Sequence, residues 1–352
     1  MKNMNQIDNL EYWNIFTRKE EYSASELDNH DRFPYKQSEY QSILDPVVSK
    51  YLIEKGMSPE YPDGKKFAVC LTHDIDDILP PAKHTLLSSL FCMKFLDADR
   101  FKKQVLWKKK GMQDSPYLNF REIMELEQKY DAKSSFYFIT TEKDPVRFRY
   151  NIEDIETELS EIIDNGFEVG LHGGYYAYNS LETIIKEKER LEKTLGKKVI
   201  GYRNHYLRFK VPDTWELLSK AGFKYDTTLG YSDKPGFRNG MCHPFKPYNL
   251  NTNEECNILE IPLVIMDGAM FSCSKTFETA WQYSKDIIDT VERYNGVITL
   301  LWHNNVFNCP FRDDWKKLYE KILKCCYEKD AWMTSGEEIF EWWNNESKSL
   351  SY

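Results

Sequence analysis

Short apolar runs alternate with helix-length segments along most of this chain, and no other feature limits its possible folds as much. Residues 67–72 (FAVCLT), 133–140 (KSSFYFIT), 167–171, 199–203, 224–228, 258–264 and 297–302 read as strands, with 332–333 as a short last one. Between them, apolar residues return at helical spacing over 120–130, 152–165, 181–195 and 276–294, and Gly196 and Gly222 act as helix stops. Strands separated by helices form βαβ units and a parallel sheet. Seven or eight such units predict an α/β fold, a distorted (β/α) barrel of seven or eight parallel strands over residues 61–352. Residues 1–60 are polar and aromatic, with one amphipathic stretch at 10–16. They end at the turn signal Tyr61-Pro62-Asp63-Gly64 and are expected to pack on the barrel as an N-terminal extension.

Bulk properties remove several function classes. A net charge of −9 argues against nucleic acid as the main partner, because phosphate binding needs a basic face. The one basic cluster, Lys102, Lys103, Lys108, Lys109 and Lys110, reads as a solvated helix face. No apolar run approaches the ~20 residues that span a bilayer, so no membrane span is expected. The N-terminus lacks the apolar stretch of a signal peptide, which predicts a cytoplasmic protein. The eight cysteines contain no CxxC pair and are expected to be reduced. The 23 Tyr, 20 Phe and 9 Trp fill a large core, and some could offer ring faces to sugars.

The polar residues gather where the strands end. The first strand runs into Thr72-His73-Asp74-Ile75-Asp76-Asp77 and the third into His172-Gly173-Gly174-Tyr175-Tyr176. The fourth ends at Arg203-Asn204-His205-Tyr206 and the seventh at His303-Asn304-Asn305. In a parallel barrel these ends share one face, where catalytic groups collect. Carboxylates with imidazoles form the ligand set of Zn²⁺ or a similar divalent ion in a hydrolytic site. A second carboxylate can then accept a proton from water, and a histidine opposite can protonate a leaving group. Asp77 suits a helix cap better than the two aspartates before it. His73 points away from Asp74 along the strand and is read as structural. His30 and His84 are read as surface residues, and His243, in a long loop, is read as either facing substrate or a turn residue.

In this order the motifs resemble those of the polysaccharide deacetylases of carbohydrate esterase family four, the NodB-homology proteins. Thr72-His73-Asp74-Ile75-Asp76 is similar to the family's first motif, which implies Asp74 as general base and Asp76 as metal ligand. His172 matches the first histidine of the His-[Ser/Thr]-x-x-His motif, but Tyr176 stands at the second position. Arg203 sits where the family has an arginine that orients the base. Leu300-Leu301-Trp302-His303 is similar to the late Leu-x-x-His motif, which implies His303 as general acid. The resemblance covers about residues 65–340. The segments GYRNHYLRF (201–209) and YDTTLGYSDKPGFRNGMCHPFKPYN (225–249) are similar to a branch associated with cell-surface glycan biosynthesis.

The resemblance implies a metal-dependent hydrolase that removes an acyl group, foremost N-acetyl, from a sugar or glycan precursor. Zinc is the expected ion, with Co, Ni or Mn as alternatives. Because Tyr176 is a poor ligand, His205 is the expected third protein ligand; a site with two protein ligands and more water, or a degenerate site, stays open. The loop over 230–251 is long for an unstructured connection. Asp226, Tyr231, Arg238 and Phe245 are expected to line a sugar pocket there, together with Tyr176 and Tyr206. Two rivals remain: hydrolysis of a non-sugar C–N bond, and a non-catalytic carbohydrate-binding relative.

Overall fold

The computed structural model describes residues 7–24 and 26–349, with side chains described to residue 345. Among the described residues eleven strands form: β1 (Ala68–Ile75), β2 (Ser135–Ile139), β3 (Glu168–Gly173), β4 (Gly201–Asn204), β5 (Tyr225–Asp226), β6 (Tyr248–Asn249), β7 (Glu254–Glu255), β8 (Leu259–Glu260), β9 (Leu263–Met266), β10 (Val297–Leu301) and β11 (Trp332–Thr334). The main sheet runs β8-β5-β4-β3-β2-β1-β10-β9, and every pairing in it is parallel. Strand β11 pairs with the first half of β1, at Ala68–Cys70, and β2 with the second half, at Thr72–Ile75. Strands β6 and β7 pair antiparallel, as a separate hairpin, and Phe245 makes an antiparallel bridge to Glu260 in β8.

The sheet curls into a distorted (β/α) barrel, and one extended segment joins its two edges. The single run predicted over 258–264 is split into β8 and β9 around Pro262, whose nitrogen has no hydrogen to give a ladder. The backbone N–H groups of Leu259, Ile261 and Leu263 bond to Lys224, Asp226 and Leu229 on the β5 side. The following residues pair with β10. The same stretch of chain is therefore a stave at both edges.

The helices follow the apolar periodicity closely. The predicted 181–195 helix is Leu181–Leu195, with the Ser180 side chain accepting from the Thr183 N–H and Gly196 left-handed at its end. Phe277–Arg293 is capped in the same way by Thr276. Two helices that the periodicity did not delimit, Ala82–Lys94 and Ala98–Lys110, form a hairpin inserted after β1. No helix among the described residues is long and apolar enough to cross a membrane. In the first 60 residues, Leu10–Phe16 and Val47–Glu54 are helices. Phe16, Val48 and Leu52 join the same apolar core as the barrel strands and their covering helices.

The barrel interior is filled by tyrosines lying over glycines. A Cβ on Gly170 would fall 2.4 Å from the Tyr137 ring, and one on Gly201 would fall 2.2 Å from the Tyr225 hydroxyl. Both rings are fully buried. Glu168 sits among them, accepting from the hydroxyls of Ser135 and Tyr225 at 2.6 and 2.5 Å and from the Glu337 N–H at 2.8 Å. Burial, and then the charge of Glu337, push its carboxyl up to about 7 from an ordinary 4.5. Between these two values the folded protein holds a proton that the unfolded chain has released. Stability present below pH 4.5 is therefore lost as pH rises towards 7, by up to about 3 kcal/mol. Glu168→Gln should flatten this part of the pH dependence in urea unfolding, and an unchanged slope would rule out Glu168 as its source.

Candidate functional site

Alternation along β1 decides which residues meet. Thr72, Asp74 and Asp76 share the inward face, while His73 points outward. The His73 ring lies 2.8 Å from both the Trp302 carbonyl and a Glu127 carboxylate oxygen, in a fully buried position under the helices. This is the structural role expected of it.

Parallel register sets the neighbours around the rim. Asp74 pairs with Tyr137, Ile139 with His172, and His172 with Arg203. His172 Nδ1 donates to the Arg203 carbonyl at 3.1 Å, so Nε2 carries the lone pair. That Nε2 lies 3.3 Å from Asp76 Oδ1 and 3.5 Å from Asp74 Oδ2. His205 Nε2 approaches the same Asp76 oxygen at 3.2 Å. Its Nδ1 lies 3.3 Å from Asp144. The structure thus brings Asp76, His172 and His205 together, with one potential ligand atom from each within 4.8 Å of the others. Asp76 Oδ1 and His172 Nε2 are buried and have no hydrogen-bond partner. Unpaired polar atoms of this kind are expensive to bury. Two imidazole nitrogens and one carboxylate oxygen suit a divalent cation of the Zn²⁺ type, and a carboxylate behind a ligating imidazole is the usual support for one.

Two further groups flank the triad. Arg203 is fully buried inside the barrel. It donates to Thr227 Oγ1 at 2.9 Å and Thr72 Oγ1 at 3.0 Å, and its Nη1 stands 3.7 Å from Asp74. Across the mouth, His303 Nε2 is 3.8 Å from Asp76 Oδ2. Its Nδ1 and backbone N–H both face Asp267, each at 2.9 Å. Burial disfavours the imidazolium, but the Asp267 charge and hydrogen bond outweigh that and raise the pKa to about 10. For Asp76, burial opposes ionisation, but His205 and His172 prevail and hold its carboxyl well below the usual range.

The other candidates fall elsewhere. Tyr176 is half exposed, and its ring meets that of Tyr175 edge-on with centroids 5.1 Å apart. Tyr206 is left-handed, at φ 61°, and its ring packs on His205 with centroids 4.5 Å apart. Asp226 is buried and accepts from the Thr228 hydroxyl at 2.6 Å. Tyr231 and Arg238 do not line an open pocket. Both are buried beneath the N-terminal segment, where Arg238 pairs with Glu21 at 2.7 Å and Arg18 donates to the Tyr231 hydroxyl at 3.0 Å. Phe245 is buried against Phe16. The 230–251 loop is therefore largely core, because the first 60 residues cover it.

Three other expectations need correction. Asp77 caps no helix; it pairs with Arg147 and, at 3.3 Å, with Arg149. His243 is fully buried, between Ser49 Oγ and the Asn295 carbonyl. His30 is half-buried, with its ring 4.6 Å from that of Tyr206 and Nδ1 3.1 Å from the Tyr175 hydroxyl.

Sequence reasoning missed Asp144, Arg149 and Asp267. Asp267 follows the apolar run Leu263–Met266 and so obeys the same strand-end rule as the others. Asp144 lies in a loop among other charged residues, with nothing in the sequence to single it out.

No family model matches the chain. A curated peptidoglycan deacetylase from Helicobacter pylori is 28% identical over 125 residues, a match spanning 34% of this chain and 39% of that protein. Among solved structures, a Mycobacterium smegmatis protein assigned as a polysaccharide deacetylase superposes with a TM-score of 0.54 at 18% identity, covering 82% of this chain and 94% of that one. Peptidoglycan deacetylase PdaC from Bacillus subtilis aligns at 14% identity with a TM-score of 0.38, over 82% and 97% of the two chains. The chain shares the fold of that Mycobacterium smegmatis protein.

Proposed function

We propose that this protein is a metal-dependent deacetylase that removes an acyl group, foremost N-acetyl, from a sugar of a glycan or glycan precursor. One observation carries the reading: the unpartnered atoms of Asp76 and His172 converge with His205, between a second carboxylate, Asp74, and the imidazole of His303. The likeness to deacetylases supports the substrate class.

Asp76, His172 and His205 would hold the cation, Zn²⁺ first and Co²⁺, Ni²⁺ or Mn²⁺ as alternatives. Bound there, it would supply Lewis acidity to the acyl carbonyl and lower the pKa of a water molecule. Asp74, oriented by Arg203, takes the proton of the attacking water. His303 keeps its own proton at neutral pH because Asp267 stabilises the imidazolium. It hands that proton to the departing sugar amine as the C–N bond breaks. Asp144 holds the His205 ring so that Nε2 faces inward. Tyr176 and Tyr206 offer ring faces to the sugar at the mouth.

Asp74→Asn should lower kcat by about 10²–10⁴-fold with metal content unchanged, as read by turnover of N-acetylated sugars and by elemental analysis. A fully active variant would exclude Asp74 as the base. Asp144→Asn should weaken Zn²⁺ binding about 10–100-fold in a competition titration; wild-type affinity would leave Asp144 without a role in the site. Release of acetate from N-acetylated sugars, with no opening of cyclic amides or imides, is the expected outcome of a substrate panel.

A further inference from the structure

The helical hairpin after β1 has an apolar surface that no described residue covers. Leu86, Leu90 and Met93 recur along one face of Ala82–Lys94 and are 60, 50 and 52% exposed. Leu87 extends that face, and Phe95 and Leu96 form the tip. Seven of the fourteen large apolar side chains exposed among the described residues belong to this hairpin. A concentration of this kind marks an interaction surface rather than ordinary scatter.

The tip gives an independent sign. Leu96 is left-handed, at φ 55°, and 90% exposed. It closes the first helix as a C-terminal cap, with the Asp97 N–H bonding back to the Cys92 carbonyl at 2.9 Å. Glycine is the usual residue there, and a β-carbon costs about 1–2 kcal/mol. A leucine that is both strained and fully in water has no folding rationale.

Charge decides what the surface fits. Residues 82–110 carry eight Lys and Arg against two Asp, a net +6 in a chain whose total is −9. Lys83, Lys94, Lys108 and Lys109 make no ion pair among the described residues, while Lys102 and Lys110 make only loose exposed ones at 3.4 Å. Lys94 lies over the Phe95 ring and Lys108 over the Trp107 ring, so apolar and cationic groups are interleaved. The apolar surface runs on into an open cavity of about 640 Å³ beside the hairpin, partly walled by Phe91, Phe95 and Phe311.

We propose that this hairpin docks on the surface of an anionic lipid bilayer. Its leucines and phenylalanine enter the headgroup boundary while the lysines meet lipid phosphates. The rest of the molecule carries a net −15 and is repelled, so only this face can approach. The hairpin begins six residues after Asp76, at the strand ends where the candidate site opens. Docking therefore brings the mouth of the barrel close to the membrane plane.

The test is sedimentation of the full chain with vesicles of phosphatidylcholine alone and of equal parts phosphatidylcholine and phosphatidylglycerol. Sedimentation with the mixed vesicles only, reversed by salt, is expected. Leu90→Asp with Leu96→Asp should reduce partitioning at least tenfold. Each of Lys108→Glu and Lys109→Glu should reduce it about five-fold or more. All four positions are exposed, and circular dichroism melting should match wild type. Wild-type protein that stays in the supernatant with both vesicles overturns the proposal, as does equal binding by the variants. A dimer in size-exclusion chromatography that Leu96→Asp dissociates would assign the surface to a second copy of the chain and overturn it too.

Discussion

Two inward carboxylates, Asp74 and Asp76, end the first strand of the barrel, and most of the site can be understood as the set of groups that makes their burial tolerable. Neighbouring buried negative charges are unfavourable unless cations or strong donors meet them. Arg203 reaches Asp74 from inside the barrel, and the imidazoles of His172, His205 and His303 ring Asp76 at 3.2–3.8 Å. Each of these groups is held from behind: Arg203 by two threonines, His205 by Asp144, and His303 by Asp267. Even so, Asp76 and His172 retain buried atoms without partners. A cluster this well supported, yet incomplete, is what a cation site requires.

The way the barrel closes matters to this arrangement. The segment through Pro262 is a stave at both edges of the sheet, and it ends directly in Asp267. Closure therefore delivers the partner of His303 to the rim. The N-terminal 60 residues act similarly from outside. Arg18 and Glu21 clamp the 230–251 loop, while the Arg32 guanidinium donates to the Tyr206 carbonyl at 2.7 Å, beside the site. Their apolar side chains share the barrel's core, so the loops around the mouth are set by packing rather than left free.

Legibility varied with the range of the interaction that decides each feature. Helices such as Leu181–Leu195 were readable because local periodicity and capping determine them. Most strand runs were readable because a buried parallel strand is apolar on both faces. The split at Pro262 was less so, since the pairing partners of 258–264 lie on both sides of the barrel. The polar strand ends identified Asp74, Asp76, His172, Arg203, His205 and His303 as a group. Tyr231 and Arg238 were misplaced because their surroundings come from residues more than 200 positions away. Asp144 escaped notice because its partner His205 comes from another strand end, 61 positions on.

By itself, the sequence determined the alternation of strands and helices, and hence a parallel barrel with its polar residues on one rim. Those are consequences of side-chain period and of which residue types tolerate burial, both local properties. Only the tertiary structure decided which nitrogen of each histidine faces inward, which aspartate stands behind it, and which aromatics are covered. Those depend on hydrogen bonds and packing between segments distant in the chain, and no local pattern records them.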